Sequence, residues 1–188
     1  MFIQTEDTPN PATLKFLPGR SVMGEGAVAD FPDADAAKRS PLASALFAVP
    51  EVGRVFFGSD FISVTKTAGD WKHLKPSLLG AIMEHFTQGL PLIAGDAEER
   101  EEDEPVYSGE DAEIVSQIKE LIDTRVRPAV ANDGGDIIFK RYEPSSGVVS
   151  LHMRGSCAGC PSSTLTLKNG IENMLRHYIP EVSAVEAV

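Results

Sequence analysis

The spacing of apolar and polar residues divides the first ninety or so positions into strand-like and helix-like runs. Phe2 to Thr5 reads as a first strand, and Thr8-Pro9-Asn10-Pro11 cannot continue it, because two prolines remove donors and the Asn between them favours a turn. Thr13 to Leu17 is β-prone again and ends at the Pro18-Gly19 turn signal, which completes a hairpin-like pair. Ser21 to Lys38, rich in Gly, Ala and Asp and weak in periodicity, is expected to be loop or poorly formed structure. Ser40-Pro41 supplies an N-cap and a first-turn residue for a short helix through Ala48. Val52 to Phe57 and Phe61 to Lys66 flank Gly58-Ser59-Asp60 as a second hairpin. Leu78, Leu79, Ile82, Met83 and Phe86 then mark one face of a helix that Pro76 starts and Gly89 stops.

A second set of elements follows an acidic break. Ser108 with Asp111 three residues on resembles a capping box, and Ile114, Ile118, Leu121 and Ile122 form an apolar stripe behind it. That helix is expected to run to about Arg127, where Pro128 ends or kinks it. Asp133-Gly134-Gly135-Asp136 is a turn leading into a strand from Ile137 to Tyr142, and Pro144 to Gly147 turns the chain into a strand from Val148 to Met153. Leu165, Ile171, Met174, Leu175 and Tyr178 recur at helical spacing, and Val182 to Val188 is a final short strand. The fold class expected is α/β (α+β) in two small domains joined by an acidic flexible linker. The domains are residues 1–94 and 108–188, with the linker at 95–107.

Charge sharpens the division. The net charge of -11 is distributed unevenly: residues 96–113 hold 10 acidic side chains against 1 basic, whereas 114–188 hold 8 of each. Residues 1–95, with 10 acidic and 8 basic, are also close to neutral. Asp96 to Glu104 has too little apolar surface to offset its ordering entropy and repels itself, so it reads as a solvated tether. Neither nucleic-acid binding nor a uniformly acidic surface follows. No apolar run approaches the roughly 20 residues of a membrane span. Two cysteines in one motif point to a reducing compartment. Met1-Phe2-Ile3-Gln4-Thr5-Glu6-Asp7 shows no basic or Arg-rich leader. Together these give an expectation of a soluble, cytoplasmic (bacterial) protein, with an organelle matrix only if a presequence has been removed.

Both cysteines lie in Gly155-Ser156-Cys157-Ala158-Gly159-Cys160-Pro161. Pro161 suits the first position of the following helix, where its missing N–H costs nothing. Cys160 therefore sits at or beside a helix N-terminus, whose unpaired N–H groups and positive dipole end favour thiolate, the form that binds metal. A tetrahedral zinc site or an iron-sulfur cluster wants about four protein ligands. One chain supplies two. Two copies meeting across a twofold axis, further ligands from elsewhere, or a working dithiol all remain open on spacing alone. His152 precedes Cys157 by five residues, but strand alternation sets it opposite Val149, Leu151 and Met153, so exposure or partial packing is expected. His73 and His85 lack acidic or thiol partners at ligand spacing and read as surface histidines. Asp133 and Asp136 read as turn residues with side-chain-to-backbone bonds. Ser/His/Asp triads, glycine-rich phosphate loops and H-E-x-x-H helices are absent from the sequence.

Asp133-Gly134-Gly135-Asp136, Gly155-Ser156-Cys157-Ala158-Gly159-Cys160-Pro161-Ser162-Ser163 and Ile179-Pro180-Glu181-Val182 resemble the NifU-like C-terminal domain of the Nfu family. Phe2 to Pro11 with Lys15-Phe16 resembles that family's N-terminal domain. The resemblance implies an iron-sulfur cluster scaffold or carrier, not an enzyme. Its homodimer would bind one 4Fe-4S cluster through the Cys157 and Cys160 pairs of two subunits, receive it from an upstream donor and pass it to apo iron-sulfur client proteins. A dithiol oxidoreductase and a structural zinc site clamping a dimer are the alternatives from other classes.

Overall fold

The structure, a computed structural model, describes residues 1–25, 27–94, 105–156 and 161–188, apart from the side chains of 161–164. The acidic run 96–104 lies outside the described residues. The chain divides into two units, Met1–Arg100 and Glu101–Val188, which are taken separately. Helices and strands are mixed in both, as the α+β expectation has it.

In the first unit, β1 (Gln4–Asp7), β2 (Thr13–Leu17), β3 (Ala29–Phe31), β4 (Val52–Phe57) and β5 (Ile62–Lys66) form a five-stranded antiparallel sheet in the order β1-β2-β5-β4-β3. Helices α1 (Ala34–Ala37), α2 (Pro41–Phe47) and α3 (Trp71–Gln88) complete it. The core is aromatic and aliphatic: Phe16, Phe31, Phe57, Ile62, Leu42, Leu46, Leu78 and Ile82 are fully buried, and Phe31 meets Phe57 edge to face at 4.9 Å. Ser40 caps α2 as its sequence promises, accepting from the Ala43 amide at 3.1 Å.

Three expectations about the elements fail in this unit. The segment 21–38, expected to be loop, contains β3 and α1; three- and four-residue elements are too short to show a period. Tertiary contacts and a cap stabilise them: Ala29, Phe31 and Ala37 are buried, and Asp33 accepts from the Ala36 amide at 2.8 Å. Helix α3 starts at Trp71, not Pro76, because Asp70 caps it by accepting from the Lys72 amide at 3.1 Å. Pro76 lies inside the helix at an exposed position, and the residue one turn earlier whose carbonyl its missing N–H would have bonded, Lys72, is exposed as well. Gly89 ends α3 in the left-handed region at φ 65°. The first strand is also displaced, from Phe2–Thr5 to Gln4–Asp7, since pairing with Leu14 to Leu17 sets its extent and leaves Phe2 exposed.

The second unit runs α4 (Glu110–Leu121), a π-helical turn (Ile122–Val126), α5 (Arg127–Asn132), β6 (Gly135–Glu143), β7 (Val148–Gly155), α6 (Pro161–Tyr178) and β8 (Ala184–Ala187). The sheet order is β6-β7-β8, antiparallel for the hairpin and parallel for β7 with β8. Alternation along β7 sends Val149, Leu151 and Met153 into the core. There they join Val115, Ile118, Ile122, Val126, Val130, Ile171 and Leu175.

Two helix boundaries differ from expectation. Gly109, not Ser108, is the N-cap of α4 and makes no side-chain bond; Glu110, Asp111 and Glu113 favour the helix start through its dipole instead. Nor does Pro128 end the helix. The π turn ahead of it, closed by the Arg127 amide donating to the Ile122 carbonyl, passes directly into α5, and Pro128 sits in the first turn of that helix.

Candidate functional site

Cys157 and Cys160 lie outside the described residues, so the site is defined by what holds the two ends of their segment. On one side β7 ends at Gly155, whose φ of 64° is a conformation open to glycine at little cost. Ser156 comes next and is buried. Its amide donates to the Gly134 carbonyl at 3.3 Å and its hydroxyl to the Asp133 carbonyl. On the other side α6 begins at Pro161, as expected. The segment 157–160 thus joins a pinned strand end to a helix N-terminus, where the dipole favours negative charge.

The turn that receives Ser156 is itself fixed. Helix α5 closes with the Asp133 amide donating to Val130 and the Gly134 amide to Ala131, each at 3.0 Å, and Gly134 takes φ 81°. Asp136 and Arg127 then form a two-bond ion pair: Nε to Oδ1 and the second guanidinium nitrogen to Oδ2, both 2.9 Å. The carboxylate is buried, with 4% side-chain exposure, and the guanidinium is 29% exposed. Hydrogen bonding to Asp136 raises the Arg127 pKa against the opposing effect of burial, and Asp123 at 3.4 Å adds to the rise.

Asp136 therefore differs from expectation, bonding a side chain rather than turn backbone. Nothing local in the sequence points to Arg127 as its partner, because the two residues lie nine apart on different elements, α5 and β6. His152 is half-buried with Nδ1 2.9 Å from the Val188 carbonyl oxygen. His73 is exposed as expected, whereas His85 is buried at 4% exposure with Nε2 unpartnered, and burial lowers its pKa. Its place one turn beyond Ile82 on the core face of α3 explains this. Among the described residues no cluster of three or more His, Cys, Asp or Glu could hold a metal ion, and no helix is long and apolar enough to cross a membrane.

A two-unit α+β protein whose C-terminal sheet and helix bracket a C-x-x-C segment is the class that emerges. Residues 3–89 match the family model for the scaffold protein Nfu/NifU N terminal, and residues 118–186 match the NifU-like domain. The chain belongs to the Nfu family. It is 53% identical over 189 aligned positions to "NFU1 iron-sulfur cluster scaffold homolog, mitochondrial" of Drosophila virilis, covering 100% of this chain and 62% of that one. The protein of the same name from Drosophila grimshawi is 54% identical, with 100% and 61% covered. The chain thus spans about three fifths of the length of these relatives. A solution NMR structure of a NifU-like protein from Saccharomyces cerevisiae aligns with a TM-score of 0.45 at 27% identity, over 51% of this chain and 87% of that one.

These relatives overturn the bacterial cytoplasm expected from the first residues, since they are named mitochondrial. The physical reason is that Gln4–Asp7 is a strand of the first sheet. Its lack of basic amphipathic character reflects that role and gives no ground for a cytoplasmic location.

Proposed function

We propose that this protein is an iron-sulfur cluster scaffold and carrier. In this role it takes a 4Fe-4S cluster from an upstream donor, holds it between two subunits through Cys157 and Cys160 of each, and releases it to apo-proteins. The cluster is cargo, and no reaction is catalysed. What supports the proposal is a C-x-x-C pair that the sequence sets between Ser156, pinned to the Asp133–Gly134 turn, and the start of α6, in a chain of the Nfu family. Two thiolates are half of the usual four-thiolate shell. A twofold dimer supplies the other half with the same residues. A site completed only by association also opens when the subunits part or a client thiol replaces a ligand, so limited retention suits a carrier. The relatives' mitochondrial name extends to this chain an organelle address as part of the same proposal.

Anaerobic reconstitution with iron and sulfide, followed by mixing with an apo 4Fe-4S protein, tests this. The expected result is a brown product holding about four irons per two chains, with cluster appearing in the acceptor. A colourless zinc-bound product would show a structural metal site instead. Disulfide reduction by a metal-free monomer would show a dithiol enzyme.

A further inference from the structure

We propose that the ion pair between Arg127 and Asp136 is the positioning device of Ser156, the residue that leads into the C-x-x-C pair: it fixes the Asp133–Gly134 turn, and the turn fixes Ser156. The proposal rests on the scaffold function above and adds residues outside the C-x-x-C pair to it.

Three contacts in series support it. Arg127 stands at the junction of the π turn with α5, a place where one extra residue per turn re-aims the next helix. Its planar fork meets both oxygens of a buried carboxylate, an arrangement that fixes direction as well as distance. Asp136 pairs across the sheet with Arg154, and Gly135 with Gly155, so locking Asp136 locks the register of the last β7 residues. Ser156 extends that register by one residue through its amide on Gly134 and adds a side-chain bond to Asp133. The pair thus acts on Ser156, the residue immediately before Cys157 in the sequence. Simple helix-to-sheet stitching would also pair these charges, but it would not direct two bonds from Ser156 onto the same turn.

Local order is the property at stake. With Arg127 neutralised, the buried Asp136 carboxylate loses its partner and the turn is released toward water, so Ser156 loses the fixed acceptors that hold it. A thiol segment with a loose end grips a shared cluster less well.

The experiment uses the full chain with Arg127→Gln, Ser156→Ala, the double variant, and Arg141→Gln as control. Arg141 pairs with Glu143 near the far end of β6. Amide hydrogen exchange on metal-free protein is expected to be about tenfold faster at Ser156 in Arg127→Gln, with Val149 and Leu151 unchanged. Cluster loss to a chelator after reconstitution should accelerate several-fold in Arg127→Gln and in Ser156→Ala. The double variant should be no faster than Arg127→Gln alone, because both changes break one chain of contacts. Arg141→Gln should change neither readout. Equal acceleration at Ser156 and Val149, or additive effects in the double variant, would overturn the proposal. If Arg127→Gln does not fold, Asp136→Asn is read in the same way. If the parent chain takes up no cluster, the scaffold function fails while the exchange result still decides whether Arg127 positions Ser156.

Discussion

The Tyr107 hydroxyl accepts from the Tyr142 amide at 2.7 Å and donates to the Tyr142 carbonyl at 2.9 Å. One side chain from ahead of α4 thereby occupies both polar groups of a residue on β6, an edge strand of the three-stranded sheet. Edge strands invite pairing with other chains, and a side chain on the edge blunts that tendency. Tyr107→Phe keeps the ring contact and deletes both bonds. It should lower the stability of the second unit by about 1 to 2 kcal/mol, read as a shift in urea midpoint at unchanged slope. A shift indistinguishable from zero would mean that water replaces the hydroxyl without loss.

His85 makes the first unit sensitive to acid. Burial lowers its folded-state pKa below the ordinary histidine value of about 6.5. Below that value the unfolded chain binds a proton that the folded chain resists, so unfolding takes up protons and stability falls as pH falls. Above it both states are neutral and the group contributes no slope. Thermal unfolding between pH 7.5 and pH 5 should therefore show a declining midpoint for the first unit. His85→Leu should flatten that decline, and a variant retaining the full slope would assign it to other groups.

Ser40 is fully buried and caps α2 through the Ala43 amide. Ser40→Ala leaves that amide unsatisfied in the core and should cost about 1 to 2 kcal/mol. Calorimetry of the full chain reports it as a lower midpoint for the first transition. An unchanged midpoint would show that the helix start relaxes to find another acceptor.

Much of this fold is legible in sequence wherever a period has room to repeat. Thr13–Leu17 and Val52–Phe57 fall where runs of β-prone, β-branched and aromatic residues set them, and α6 starts at Pro161. Legibility fails where the determinant is distant or short. Asp33 and a few buried side chains suffice for β3 and α1, which offer no period to detect. Pro76 and Pro128 look like boundaries because proline cannot donate, yet an exposed helix face tolerates one and a π turn accommodates the other. The C-x-x-C pair stands out as residue types. The Arg127 to Asp136 to Ser156 support does not, because it joins three separate elements that only the folded chain brings together.

The central claim is that one chain carries half of a shared coordination shell. Sedimentation of anaerobically reconstituted protein, followed at the visible absorbance of the cluster, tests it most directly. The colour should move with the dimer, and Cys157→Ser or Cys160→Ser should remove it while the apo-protein's circular dichroism stays that of the folded chain. Colour travelling with a monomer, or a full cluster retained by Cys157→Ser, would contradict the account.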